Sequence, residues 1–228
     1  MKPIIEAKGK KPTYDGTAYD SKEEIWFLWY LLELQAAGYI ESFECQPEAF
    51  ILSCQAKAEH FQCNAKTRKK KAHNRHQAHE YTADFKVVWN RNAEDTFYGV
   101  ERRGIDKFKP PFWTNKIESY FGHELPAETS WIEIKPAFDK NKTIPQFVIN
   151  QKWVRQSHGI DVQKIITTPK ISKDKNMRIK YTPANALFTA TFTPERFRFT
   201  DKSMKKRTIN FYAPSLHDYA VTGGRMPF

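Results

Sequence analysis

The order of apolar and polar positions divides the chain into a few legible segments. Residues 21–37 read SKEEIWFLWYLLELQAA and stop at Gly38, a residue suited to the left-handed position that closes a helix. The centre of this run, 25–32, is apolar on almost every side, which predicts a helix buried on more than one face. Residues 43–53 (FECQPEAFILS) predict a strand, with Pro47 requiring an edge or a bulge because proline cannot donate to a ladder. Residues 80–89 (EYTADFKVVW) predict a strand with Tyr81, Ala83, Phe85, Val87 and Trp89 on one face and Asp84 and Lys86 on the other. Residues 131–138 (WIEIKPAF) alternate again, Ile132 and Ile134 against Glu133 and Lys135. Helical spacing over 144–158, ended by Gly159, leads to a strand at 162–167. That order is a βαβ unit, two parallel strands joined by a right-handed crossover.

Elsewhere the pattern is weaker. Residues 1–19 predict an irregular leader, 54–78 a loop or arm, and 90–129 an insertion. Residues 168–228 predict a β-rich extension packed on the core, with extended runs at 187–192, 196–199 and 208–212. No apolar run approaches the roughly 18 residues of a membrane span, and no signal-peptide core follows Met1. Three cysteines, Cys45, Cys54 and Cys63, argue against a fold built on disulfides. The expectation is a soluble, cytoplasmic protein.

Charge sharpens this picture. The 228 residues carry 37 basic and 26 acidic side chains, a net +11. Residues 66–75 (KTRKKKAHNR) hold six basic groups and no acid, and 202–207 (KSMKKR) hold four more; outside these strips the balance is 27 against 26. At 40% hydrophobic and 14% aromatic the chain is far too apolar for a disordered polycation. Two basic strips on a nearly neutral body point to a polyanionic partner.

The candidate chemistry lies on two strands. Asp84 interrupts an apolar run, and Glu133 and Lys135 stand two apart on a polar face. Paired carboxylates can hold Mg²⁺ through hard oxygens and leave positions for water and phosphate. A neighbouring lysine can orient or deprotonate an attacking water and stabilise the charge that builds on phosphorus. A solvated sheet face is the bland reading of the same residues. Ser21-x-x-Glu24 is likewise a capping box. Cys54, His60, Cys63, His73, His76 and His79 follow no standard finger spacing, so zinc is not expected.

The order S-x-x-E at a helix start, A-A-G-Y-I at its end, a strand, A-D-F at Asp84, E-I-K at Glu133 to Lys135, then a helix and a parallel strand resembles the PD-(D/E)XK nuclease superfamily. Within it, the chain is most similar to small phage endonucleases and Holliday-junction resolvases. The resemblance covers about 19–167. It implies an α/β restriction-endonuclease-like αβββαβ core, a mixed central sheet flanked by helices. It implies Mg²⁺ (or Mn²⁺) held by Asp84, Glu133 and the Ile134 carbonyl, Lys135 as catalytic lysine, and Glu24 as an additional acid beside the cap reading. Ala83 replaces the usual proline. The 49-residue gap between the two acids requires an insertion at 90–129; if 97–103 were the partner strand, Glu101 would compete with Glu133, but only Glu133 is followed by x-Lys.

DNA contacts are expected from Lys69, Lys70, Lys71 and Arg75 in the first strip, Gln151, Lys152 and Arg155 on the following helix, and Lys205, Lys206 and Arg207 in the second strip. The implied activity is metal-dependent endonucleolytic hydrolysis of branched or duplex DNA by a homodimer. A restriction- or transposition-type endonuclease and an inactive DNA-binding module stand as alternatives.

Overall fold

A computed structural model of the chain describes residue 4 and residues 10–64, 67–99, 110–114, 128–136, 143–168, 170–173, 179–182, 186–200 and 214–223. Of these, 58–64, 67–74, 143–144, 170–173, 179–182 and 198–200 are described by backbone alone. In the leader, β1 (Thr13–Tyr14) and β2 (Thr17–Ala18) make a tight hairpin where irregular chain is predicted. Its turn residues Asp15 and Gly16 have φ of 52° and 81°, the two positive angles that an Asp-Gly hairpin turn supplies.

Helix α1 (Lys22–Ala36) begins at Ser21, whose hydroxyl accepts the Glu24 N–H at 3.2 Å. It ends where Gly38 takes φ 78°, so that the Gly38 and Tyr39 N–H groups bond to the Gln35 and Leu34 carbonyls, a Schellman closure. Ile25, Phe27, Tyr30, Leu31 and Leu34 are enclosed, as an all-round apolar helix requires.

The strands that follow are β3 (Ile40–Cys45), β4 (Phe50–Ser53), β5 (Ala56–Asn64), β6 (Thr67–His76), β7 (His79–Tyr81), β8 (Phe85–Trp89), β9 (Tyr98–Gly99), β10 (Phe112–Trp113) and β11 (Thr129–Ile134). Among the described residues, helix α2 (Thr143–His158), β12 (Val162–Ile165), β13 (Lys170–Lys173), β14 (Ile179–Thr182) and the short helices α3 (Leu187–Ala190), α4 (Glu195–Thr200) and α5 (Leu216–Val221) follow. The central sheet is mixed, in the order β12-β11-β8-β3. β11 and β12 run parallel around α2, and β8 is antiparallel to both β11 and β3.

Two predicted strands are each broken in two. The run 43–53 divides at Gln46–Pro47, where Gln46 takes φ 49°, and 80–89 divides at 82–84. Freed from the sheet, β4 pairs with β7 and the pairing continues into β5 and β6. Phe50 faces Tyr81 and Ser53 faces His79, then Ala56 faces His76 and Asn64 faces Thr67, with register irregularities near 51–53 and 56–57 and with residues 54–55 and 77–78 outside both ladders. The segment expected as a loop or arm is therefore an arm with a backbone ladder of its own, a two-stranded antiparallel ribbon. The outer strands pack mainly on one another, so the sequence has no core-facing stripe to display.

The sheet has a core on each face. One gathers α1, Phe85, Val87, Trp89, Ile132 and Ile134 with Leu187, Phe188, Phe192, Phe197 and Tyr219. The other gathers Phe50, Leu52, Tyr81, Ala83 and Trp131 with Phe147, Val154 and Val162. Tyr81 and Ala83 thus lie in the opposite core from Phe85, Val87 and Trp89, because the break at 82–84 interrupts the strict alternation. The predicted extended runs 187–192 and 196–199 form α3 and α4 instead; the run 208–212 lies outside the described residues. In the expected insertion, β9 and β10 pair with each other, and Phe97, Tyr98 and Phe112 are buried in the first core.

Candidate active site

The antiparallel register carries the two acids together. Phe85 is opposite Ile132, so one step further along the strands brings Asp84 level with Glu133. Asp84 Oδ2 accepts the Ile134 N–H at 2.6 Å, and the Asp84 carbonyl accepts the Gln46 N–H at 2.8 Å. The left-handed Gln46 turn that breaks the strand also fixes the backbone of the acid.

Glu133 is buried in spite of its charge. Its Oε1 accepts from Lys135 Nζ at 2.6 Å and its Oε2 from the Tyr81 hydroxyl at 2.7 Å. Such donors are what a carboxylate removed from water requires. Lys135 Nζ also lies 5.8 Å from the centroid of the Phe147 ring, which brings α2 to the side of the site.

Glu24 serves the helix cap and approaches this group. Its Oε1 accepts from the Ser21 hydroxyl at 2.7 Å, and its Oε2 accepts the Asp20 N–H at 3.1 Å. It is buried as well. Burial raises the Glu24 carboxyl, with Asp20 and Glu133 adding to the rise and the Ser21 and Asp20 hydrogen bonds opposing it. Burial, then the Glu133 and Glu24 charges, pushes Asp84 up to about 8 against the pull of the Ile134 N–H and Lys135. Tyr81 is raised well above the ordinary phenol range by burial and by Glu133, which keeps it a proton donor.

Asp84, Glu133 and Lys135 thus meet in a poorly hydrated space, with the Glu24 carboxyl near enough to raise Asp84, an excess of acidic groups that a cation would relieve. Carboxylate oxygens are the donors of a hard ion such as Mg²⁺ or Mn²⁺. Among the described residues no group of three His, Cys, Asp or Glu side chains could hold an ion unaided. Asp84 and Glu133 would supply two ligands, and the other positions would fall to backbone carbonyl, water or phosphate. The Ile134 group in direct contact with Asp84 is its N–H.

The expected DNA contacts are scattered. Lys69, Lys70 and Lys71 stand on β6 opposite Gln62, Phe61 and His60, their side chains outside the description; Arg75 is exposed near the middle of the ribbon. Gln151 Nε2 donates to the Val162 carbonyl at 2.5 Å and ties α2 to β12. Arg155 donates to the Gly159 carbonyl at 2.9 Å and lies 3.3 Å from Asp161. Lys152 is exposed. Glu101, Lys205, Lys206 and Arg207 lie outside the described residues. Tyr81 is the site residue that the sequence reading passes over as one more apolar-face aromatic; its place three residues before Asp84 is the signal available.

A family model described as "Protein of unknown function (DUF1064)" matches residues 6–101. That span takes in Glu24, Tyr81 and Asp84, and stops short of Glu133 and Lys135. No curated protein and no solved structure matches the chain. Among the described residues no helix is long and apolar enough to cross a membrane.

Proposed function

We propose that the chain is a metal-dependent endodeoxyribonuclease with a restriction-endonuclease-like core, acting on branched or duplex DNA and working as a homodimer. The observation that carries this reading is the meeting of Asp84, Glu133 and Lys135 through the Asp84–Ile134 and Lys135–Glu133 hydrogen bonds, with Glu24 close enough to be felt by Asp84. The resemblance to PD-(D/E)XK nucleases rests on the same residues in the same order.

A bound divalent cation supplies a more acidic water and positive charge against the phosphoryl oxygens. Asp84 and Glu133 would hold it, and the Ile134 N–H keeps the Asp84 carboxylate in one orientation. Lys135 spends one N–H on Glu133 and keeps two, enough to orient the attacking water and to donate to a non-bridging phosphate oxygen. In-line attack would form a new P–O bond from water as the P–O3′ bond breaks. The water's proton would pass to solvent and the departing 3′ oxygen would take one from a nearby water, which leaves 5′-phosphate and 3′-hydroxyl ends. The basic ribbon supplies phosphate contacts independent of base sequence, consistent with a substrate chosen by shape.

The test is cleavage of a four-way junction and of linear duplexes with Mg²⁺ or Mn²⁺ by the wild type, D84N and K135A. The wild type should cut the junction in preference. K135A should retain Mn²⁺ binding and lose roughly 100-fold or more in rate, the usual scale for general acid–base and electrostatic groups. D84N should lose both. A wild type that binds DNA and never cuts it, with variants that bind equally well, would leave a DNA-binding module in place of an enzyme.

A further inference from the structure

Glu133 is held from two sides by donors of different kinds. Lys135 reaches Oε1 from two residues along the same chain segment, on a flexible four-carbon stem. Tyr81 reaches Oε2 from β7, a strand that belongs to the ribbon and not to the central sheet. Its ring lies nearly parallel to Phe50, centroids 6.4 Å apart, and Phe50 in turn lies 4.7 Å from Trp131. A phenol has two side-chain dihedrals, and here packing fixes the ring. The position of its oxygen is therefore set before the hydrogen bond forms.

The surrounding side chains are those of an apolar core, where phenylalanine would fill the same volume. The hydroxyl is the part that packing does not explain. Its partner is the carboxylate that Lys135 also holds, and Tyr81 stands in the register pair Phe50–Tyr81 at the root of the ribbon.

We propose, on the reading of this site as a metal-dependent nuclease, that Tyr81 is a positioning residue whose hydroxyl holds Glu133 in its cation-binding orientation and joins that orientation to the root of the basic ribbon. Without the hydroxyl, Glu133 is free to turn its whole carboxylate toward Lys135. The ion then meets a ligand that must be reoriented. Partners that orient metal ligands commonly change metal affinity by about 10- to 100-fold when removed.

The experiment is calorimetric titration of Mn²⁺ into the full chain without DNA, for wild type, Y81F, E133Q and Y81F/E133Q, beside cleavage at rising Mn²⁺. Y81F should stay folded, with a thermal midpoint lowered only by the loss of one buried hydrogen bond, and should bind Mn²⁺ about 10-fold more weakly, with DNA affinity in EDTA unchanged and cleavage restored by excess Mn²⁺. In the E133Q background the same change should have no further effect, since residues acting through one another are not additive. Wild-type affinity in Y81F, or an undiminished effect in the E133Q background, overturns the role of Tyr81 and leaves the nuclease reading standing. A wild type that takes up no Mn²⁺ overturns both.

Discussion

Asp84 sits in an environment that suits a cation better than it suits the folded chain alone. Unfolded, its carboxyl ionises near the ordinary aspartate value of about 4; folded, burial and two neighbouring carboxylates push it up to about 8. Between those values the folded state retains a proton that the unfolded state has released. Stability therefore falls as pH rises from about 4 to 8, and Glu24, also raised, acts in the same direction. In EDTA, D84N should melt at a higher temperature than wild type at pH 8, with the difference shrinking toward pH 4. At roughly 2–4 °C per kcal/mol for a chain of this size, scanning calorimetry resolves it. A lower melting temperature for D84N at pH 8 would refute the crowding argument. Much at this scale was legible: Asp84, Glu133 and Lys135 stand out because charged residues interrupt apolar alternation. Tyr81 did not, because an aromatic residue on a strand gives no sign in the sequence of where its hydroxyl ends.

At the scale of elements, hydrophobic periodicity was informative wherever an element packs against the sheet. Helix α1, the β11–α2–β12 crossover and the Gly38 stop follow from it. It failed where burial is supplied differently. Along β5 and β6 each strand's main packing partner is the other, so no apolar alternation is required of either. The short α3 and α4, of four and six residues, complete too few turns to show a helical period. Their aromatic and β-branched content resembles that of strands, and tertiary burial overrides it. The Asp15-Gly16 hairpin carried a readable turn signal that a proline-containing leader obscured. The ribbon has a direct test. Replacing Lys69, Lys70 and Lys71 by glutamine should reduce the slope of log affinity against log salt by about 2–3, at about 0.9 per phosphate contact, with Mn²⁺ binding unaltered. An unchanged slope would remove the ribbon from the DNA path.

At the scale of the whole molecule, the C-terminal segment completes the core. Phe192 is fully buried and stacks on Tyr30 of α1 with centroids 4.3 Å apart, and the Tyr30 hydroxyl lies 3.1 Å from Thr191 Oγ1. F192A should cost about 3–5 kcal/mol and lower a single unfolding transition for the whole chain. A separate early transition that spares the rest would show that α3 and α4 fold independently of α1. The candidate site stands between the two cores: Ile132 and Ile134 face one, while Trp131 and Tyr81 face the other. A change in either core can therefore reach the acids.

The ribbon's register has a geometric consequence of its own. From Phe50–Tyr81 to Asn64–Thr67 it has a contour of about 45–50 Å at about 3.4 Å per residue, more than a full turn of duplex, about 34 Å. Because side chains repeat every two residues along a strand, residues can be added or removed in matched pairs near the tip without altering which face any remaining side chain occupies, and without disturbing the Phe50–Tyr81 root. The reach of the arm and the chemistry at its base are thus independent variables, and the arm is built as a ruler whose length can change while its zero mark stays fixed.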